Sequence, residues 1–234
     1  MTEATTSTPK PPASLLRKVA KIIKAADTGD VNGALYLDTA LVAKLIRVRL
    51  AYGFPGCKFR VRISRYSMGS SIDVRWTDGP LDKAVEAEVG AYAGAGFDGM
   101  IDLKYHQSAW LMPDGTVSIA HTDGTTGSRG YVPEVIASAP GGAARLVKCS
   151  SDYVFTHREV GVGLVAQAIA ASYDKWAELE GVERPVIGAP SEFSGAWLQE
   201  CPQIMVHNQW LDSLLMGEAH KLPGPGFEHT AEQE

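Results

Sequence analysis

FPGCKFRVRISRYSMGSSIDVRWTDGP, residues 54–80, decides the fold of this chain. In its first arm Phe59, Val61 and Ile63 alternate with Lys58, Arg60 and Arg62; in its second, Ile72, Val74 and Trp76 alternate with Asp73 and Arg75. A period of two marks a strand with one face buried. The stretch therefore predicts an antiparallel hairpin with an apolar face and a cationic one. Tyr66-Ser67-Met68-Gly69-Ser70 between the arms is expected as a loop longer than the tightest turns.

Helical patterns flank the hairpin. Before it, Leu41, Val42, Leu45 and Val48 recur at helical spacing within 38–51, with Asp38 or Thr39 as cap and Gly53-Phe54-Pro55-Gly56 as stop. After it, Pro80 suits the first turn of a helix over 81–92 with Leu81, Val85, Val89 and Tyr92 as its stripe. Further upstream, 14–26 sets Leu15, Leu16, Val19, Ile22 and Ile23 opposite Arg17, Lys18, Lys21 and Lys24. Downstream, 109–119 reads as β structure around a Pro113-Asp114-Gly115 turn, and 121–130 as a polar, Gly-rich, mobile loop. Segments 131–137 and 144–155 carry no decisive period; 159–179 and 201–220 read as helices separated by a linker-like passage, 181–194. The expected fold class is α+β: a small antiparallel sheet covered by helices, plus a mainly helical C-terminal region. The expected division is a disordered lead-in 1–13, an α+β domain 14–120 with an αββα core, a mixed or helical region 121–221 and a disordered acidic tail 222–234.

Composition narrows the class. The 234 residues are 45% hydrophobic, ordinary for a globular core. The only long apolar-leaning run, 161–173, is too short to span a bilayer, so no membrane partner is expected. The first residues lack the regions of a signal peptide. Three widely spaced cysteines, Cys57, Cys149 and Cys201, form neither a disulfide framework nor a metal knuckle, which points to a reducing, cytoplasmic location. Charge is uneven: residues 1–75 hold 13 Lys+Arg against five Asp+Glu, a net +8, so a total of −5 leaves −13 on the remainder. The basic third can approach phosphate or an acidic protein face; drift of this kind also arises by chance in mixed-sign proteins.

Between 37 and 105 the residues resemble the large polyvalent protein-associated domain of type twenty-nine. The match rests on Ala43-x-x-Ile46-Arg47, on Phe54-Pro55-Gly56-x-Lys58-Phe59-x-Val61-Arg62, and on Gly69-Ser70-Ser71-Ile72-Asp73-Val74-x-Trp76-Thr77-Asp78-Gly79-Pro80. It continues through Val85 to Phe97-Asp98-Gly99-Met100-x-Asp102. Ser151-Asp152-Tyr153-Val154-Phe155-x-x-Arg158 resembles a segment that accompanies such domains. The resemblance implies a setting in phage and conjugative-element proteins and carries no catalytic residues with it.

Other motifs yield to plainer readings. Gly94-Ala95-Gly96-Phe97-Asp98-Gly99 fits GxGxxG, but a dinucleotide fingerprint needs a strand before it and a helix after it. Here a helix precedes, and a glycine helix stop explains the run. Asp102 and His106 would share a face only in a helix, which 100–107 does not predict; a turn role for Asp98 and a surface role for His106 follow. His121 with Asp123, and His157 beside Glu159, suggest acid–base pairs without a nucleophile at a persuasive spacing.

The cationic strand is the strongest functional feature. Lys58, Arg60, Arg62 and Arg75 share one side of the hairpin, Arg65 continues along its first arm, and Lys44 and Arg47 extend the set on the preceding helix. Guanidinium groups in this arrangement fork onto phosphate oxygens or carboxylates. The plain alternative is a solvated face partly neutralised by Asp73 and by Asp82 or Glu86. Together with the mobile-element setting that the resemblance implies, this leaves three function classes. The first is a non-enzymatic counter-defence protein that binds a host ribonucleoprotein such as CRISPR–Cas, or a restriction complex. The second is an accessory protein that binds DNA or RNA. The third is an enzyme acting on the defence machinery or its nucleic acid. No cofactor or metal is expected; the oligomeric state is left open.

Overall fold

The computed structural model of the protein describes residues 11–26, 30–31, 33–125, 132–188, 190 and 195–233. Expected features on 1–10, 126–130 and 191–194 lie outside these residues. The element order is α1 (Ala13–Ala26), β1 (Asp30–Val31), β2 (Ala34–Leu37), α2 (Thr39–Gly53), β3 (Arg60–Tyr66), β4 (Gly69–Thr77), α3 (Asp82–Val89), β5 (Ala95–Asp98), β6 (Leu103–Leu111) and β7 (Val117–Thr122). It continues with β8 (Val135–Ile136), β9 (Arg145–Cys149), β10 (Tyr153–Glu159), α4 (Val162–Lys175), β11 (Val186–Gly188), β12 (Trp197–Gln199), β13 (Met205–Val206), β14 (Gln209–Trp210) and α5 (Leu211–Lys221). The fold is α+β, as the patterning predicts. The chain forms two compact units, each assembled from three stretches: Met1–Gly53, Ile63–Ile72 and Glu88–Val154 in the first, Phe54–Arg62, Asp73–Ala87 and Phe155–Glu234 in the second.

The first unit is built on a sheet ordered β1-β2-β9-β6-β7-β8, with β5 paired to the start of β6. Pairing is antiparallel except between β2 and β9, where Leu35, Tyr36 and Leu37 lie opposite Val147, Lys148 and Cys149 in parallel register. Leu35, Leu37, Ala109, Leu111 and Val147 are buried, as are Leu15 and Val19 of α1 and Leu41, Val42, Leu45 and Ile46 of α2. The two helices pack on each other and on β2. Asp38 caps α2, its Oδ1 accepting the Leu41 amide at 2.7 Å. Inside this core Arg49 is buried, donating to Glu88 at 2.5 Å and to the Asp114 carbonyl at 3.3 Å. A buried cation persists only when so paired. The Pro113-Asp114-Gly115 turn does join β6 to β7, and the Tyr92 hydroxyl donates to its Gly115 carbonyl.

The second unit gathers around α4 and α5. Val160, Leu164, Val165, Ala168 and Ile169 meet Leu211, Leu214, Leu215 and Ala219, with Leu179 and Val206 closing the cluster. Tilted rings of Phe54, Phe59 and Trp76 stand 5.9 and 5.5 Å apart in sequence order, and the Trp76 indole N–H donates to the Pro80 carbonyl at 3.0 Å.

Three expectations are corrected and one unassigned segment is placed. The β3–β4 connection is only Ser67-Met68, because both ladders continue through Tyr66 and Gly69. The helix read over 201–220 starts at Leu211; before it, β13 and β14 form a hairpin whose His207 and Asn208 both take left-handed φ, 51° and 61°. Two consecutive left-handed residues match the twist of a tight hairpin and cannot continue an α-helix. The period-free segment 144–155 supplies β9 and the start of β10. The tail read as disordered also packs: Phe227 and Thr230 are buried, Gly224 donates to the Gly79 carbonyl at 2.7 Å, and the Thr230 hydroxyl accepts the Leu81 amide at 3.2 Å.

Candidate functional site: a cationic sheet face

β10, β4 and β3 lie side by side in a three-stranded sheet. Burial alternates along each. Within the second unit Val61, Val74, Trp76 and Arg158 are buried, while Arg60, Arg62, Arg75, Phe155 and His157 are exposed. Because successive side chains point to opposite faces, the exposed set shares one face. Lys58, just before β3, is exposed as well. The expected basic strand is therefore present, and β10 adds two ring side chains to it, Phe155 and His157, with centroids 6.4 Å apart. Sequence reasoning missed them since β10 comes from nearly eighty residues downstream and has no clean alternation. Asp73 also stands on this face, its carboxylate 3.8 Å from His157 Nε2. Among the described residues no carboxylate pairs with Lys58, Arg60, Arg62 or Arg75. Asp73 nonetheless adds one carboxylate to the same face. Lys44, Arg47 and Arg65 are exposed but belong to the first unit.

The inner face explains the Trp76-Thr77-Asp78-Gly79-Pro80 run. Asp78 and Gly79 both take left-handed φ, 54° and 59°, which glycine adopts freely and other residues rarely. A Cβ at Gly79 would sit 2.8 Å from the Cys57 sulfur. Asp78 Oδ1 accepts the Gly161 amide at 2.6 Å, at the cap of α4, and its own amide donates to Glu159 at 2.7 Å. Buried Arg158 donates to the carbonyls of Asp78 at 2.8 Å, His220 at 2.8 Å and Leu222 at 2.6 Å. The most distinctive residues of the chain thus build a frame, and the chemistry-bearing groups lie on the other side of the same strands.

Motifs elsewhere have structural roles. Gly94 to Gly99 is not a helix cap, as expected above, but spans strand β5, which no helix follows; it offers no helix N-terminus to a phosphate. Its glycines answer close approach: a Cβ on Gly94 would lie 2.0 Å from the Cys149 carbonyl oxygen, and one on Gly96 2.2 Å from the Tyr105 ring. Asp98 is buried in a turn, accepting from the Met100 amide at 3.0 Å and the Thr125 hydroxyl at 2.9 Å. Among the described residues no three His, Cys, Asp or Glu side chains converge on a metal position. The thiols are poor nucleophiles at neutral pH. Burial pushes Cys57 up to about 11, the Arg158 guanidinium opposing, and pushes Cys149 up to about 12. Among the described residues no helix is long and apolar enough to cross a membrane.

No curated protein and no solved structure matches the chain. A family model does, over residues 37–161, more than half of the sequence and well past the segment that first suggested it. It takes in α2, the β3–β4 hairpin, α3 and strands β5 to β10, and ends at Gly161. This family is associated with polyvalent proteins of phage and mobile elements. The chain belongs to the family Large polyvalent protein associated domain 29.

Proposed function

We propose that the protein is a counter-defence factor of a mobile element that works by binding rather than turnover. It docks on a host complex that targets nucleic acid, such as a CRISPR–Cas ribonucleoprotein or a restriction enzyme, and blocks it in the host cytoplasm. The observation that carries this reading is the exposed row of Lys58, Arg60, Arg62 and Arg75, without carboxylate partners among the described residues, on a chain with net charge −5. Such a face is repelled by a partner's basic nucleic-acid channel but suits the partner's carboxylates or its bound guide and target phosphates. Family membership supplies the mobile-element setting. A second reading, an accessory protein that binds DNA or RNA, is favoured by Phe155, whose exposed ring on the cationic face gives a base a surface to stack on.

Pulldown of the tagged protein from cells expressing candidate defence complexes separates the two. Recovery of a complex supports the first, and recovery of nucleic acid alone the second. Inhibition is then titrated at two incubation times with and without EDTA. Saturation at a fixed ratio, insensitive to chelation, is expected; progressive inactivation far below one equivalent would mark an enzyme. Charge reversal of Arg60 and Arg62 together is expected to abolish binding and to move stability by less than about 0.5 kcal/mol, because both side chains are exposed. Unaltered affinity in that variant would remove the cationic face from the proposal. Lys44, Arg47 and Arg65 enter the same series as a second set: loss of binding there as well would extend the footprint to the first unit.

A further inference from the structure

The face of the first unit's sheet that bears Tyr36 and Lys148 carries a second, separate arrangement. Tyr36 of β2 lies opposite Lys148 of β9, and Ser108 of β6 lies opposite His121 of β7. Since Ala109 pairs with Val147 in antiparallel register, Ser108 stands next to Lys148. Tyr36, Lys148, Ser108 and His121 therefore form one row across four adjacent strands, spanning about 14 Å at the usual strand spacing. His106, two residues before Ser108, is on the same face, and the Asp123 amide donates to its carbonyl at 3.0 Å. These residues line a cleft of about 330 Å³ with Gly94 and Cys149 in its wall. A β-bulge at Ser108/Ala109 interrupts the ladder at this point, a device that re-aims side chains beside sites.

The groups divide by chemistry. At one end Tyr36 presents a ring, 44% exposed, beside the Lys148 ammonium. At the other, His121 is held between two carboxylates, Nδ1 3.5 Å from Asp123 and Nε2 3.2 Å from Glu134. That leaves His106, Lys148 and the Ser108 hydroxyl as the donors facing the cleft, and among the described residues neither His106 nor Lys148 has an internal partner. An aromatic face adjoining an ammonium, an imidazole and a hydroxyl is a complement to a planar base joined to a phosphate. We propose that this cleft binds a nucleotide, with the base stacked on Tyr36 and the phosphate held by Lys148, His106 and Ser108. Asp123 and Glu134 fix His121 at the rim and repel a second phosphate, which favours a monophosphate over a polyphosphate. The ligand is a free nucleoside monophosphate or one nucleotide of a single strand; the chemistry is shared, and the site is independent of the cationic face.

The test titrates the full chain with AMP, CMP, GMP and UMP, with adenosine, with inorganic phosphate, and with short oligo(U) and oligo(dT). Affinity is read by calorimetry and location by the side-chain ¹⁵N signals of His106 and His121. The expected result is a shift at His106 with AMP or its relatives, and a loss of about tenfold or more in Tyr36→Ala and in Lys148→Ala. Lys148→Arg should retain binding. Both truncations are at exposed positions and should fold, as their thermal midpoints will show. Binding by monophosphates identifies a free ligand, and binding by oligonucleotides alone with the same loss in both variants identifies a strand. Inorganic phosphate binding as tightly as AMP, undiminished affinity in the two variants, absence of any shift up to millimolar ligand, or loss of the binding in the Arg60/Arg62 charge-reversed protein would each overturn the proposal. The last outcome would assign the ligand to the other face while leaving the binding reading of that face intact.

Discussion

Arg158→Ala is expected to destabilise the protein by about 3 kcal/mol or more, the largest loss for any single charged side chain outside the first unit's core. The guanidinium is buried and donates to three main-chain carbonyls, on Asp78, His220 and Leu222. The first belongs to the turn that caps α4 through the Gly161 amide, and the other two to the last turn and exit of α5. Truncation would leave those carbonyls to find water in a site that admits little, and charge-assisted bonds are the costly ones to lose. Burial lowers the guanidinium's own pKa, with Asp78 and Asp82 opposing that shift, so the group remains a cation and its bonds keep their strength. Arg158→Lys is expected to recover less than half of the loss, because an ammonium cannot present the planar fork that reaches three carbonyls at once. Urea denaturation of the wild type and both variants is the measurement. An Arg158→Ala midpoint shift worth less than about 0.5 kcal/mol would show that solvent replaces the clamp without cost. Since His157 next to it points to the cationic face, Arg158→Ala should also weaken partner binding through loss of order, whereas Arg60 and Arg62 variants weaken it with stability unchanged.

How far sequence reasoning reached depended on whether a signal was local. Alternation in 59–63 and 72–76 is a property of neighbouring residues, and it yields the β3–β4 hairpin, the buried Trp76 and the exposed arginines directly. The α2 cap at Asp38 and the Pro113–Gly115 turn are likewise local chemistry. What escaped is non-local. The third strand of the cationic sheet arrives from residues 153–159, where an exposed Phe155 and a buried Arg158 reverse the apolar-in, polar-out alternation that would be read. The row from Tyr36 to His121 exists only because a parallel β2–β9 pair and a bulged β6–β7 pair align four distant residues. GxGxxG failed as a helix stop for a different reason: Gly94 is required by the Cys149 carbonyl, far along the chain, and Gly96 by the Tyr105 ring on the paired strand. The helix expected from Cys201 was overridden by two residues, His207 and Asn208, whose left-handed backbone makes a turn. The tail shows the same limit in composition: acidic and Gly/Pro-rich, it is nevertheless held by Phe227, Thr230 and the Gly224–Gly79 hydrogen bond.

Trp76→Ala is expected to cost about 3–5 kcal/mol, enough to leave the protein poorly soluble or without fixed tertiary packing. Trp76 is 3% exposed, and its ring is the one that Phe59 leans on, while Phe59 in turn meets Phe54. Removing the indole opens a cavity at the end of an aromatic run that has no flexible neighbour among these rings to collapse into it. Trp76→Phe separates the two contributions. It retains most of the apolar area but leaves the Pro80 carbonyl without its indole donor, a loss of about 1–3 kcal/mol. Phe59→Ala should fall between the two, because Phe59 is only half-buried and part of its surface is already in water. The ordering Trp76→Ala, then Phe59→Ala, then Trp76→Phe is what packing demands, and near-ultraviolet circular dichroism with urea midpoints reads it. A Trp76→Ala protein that keeps its midpoint and near-ultraviolet signal but no longer binds its partner would place the indole on the functional surface. In that event the cationic face would extend around the edge of the sheet, and the Asp78–Gly79 turn beside Trp76 would become the next place to look for partner contacts.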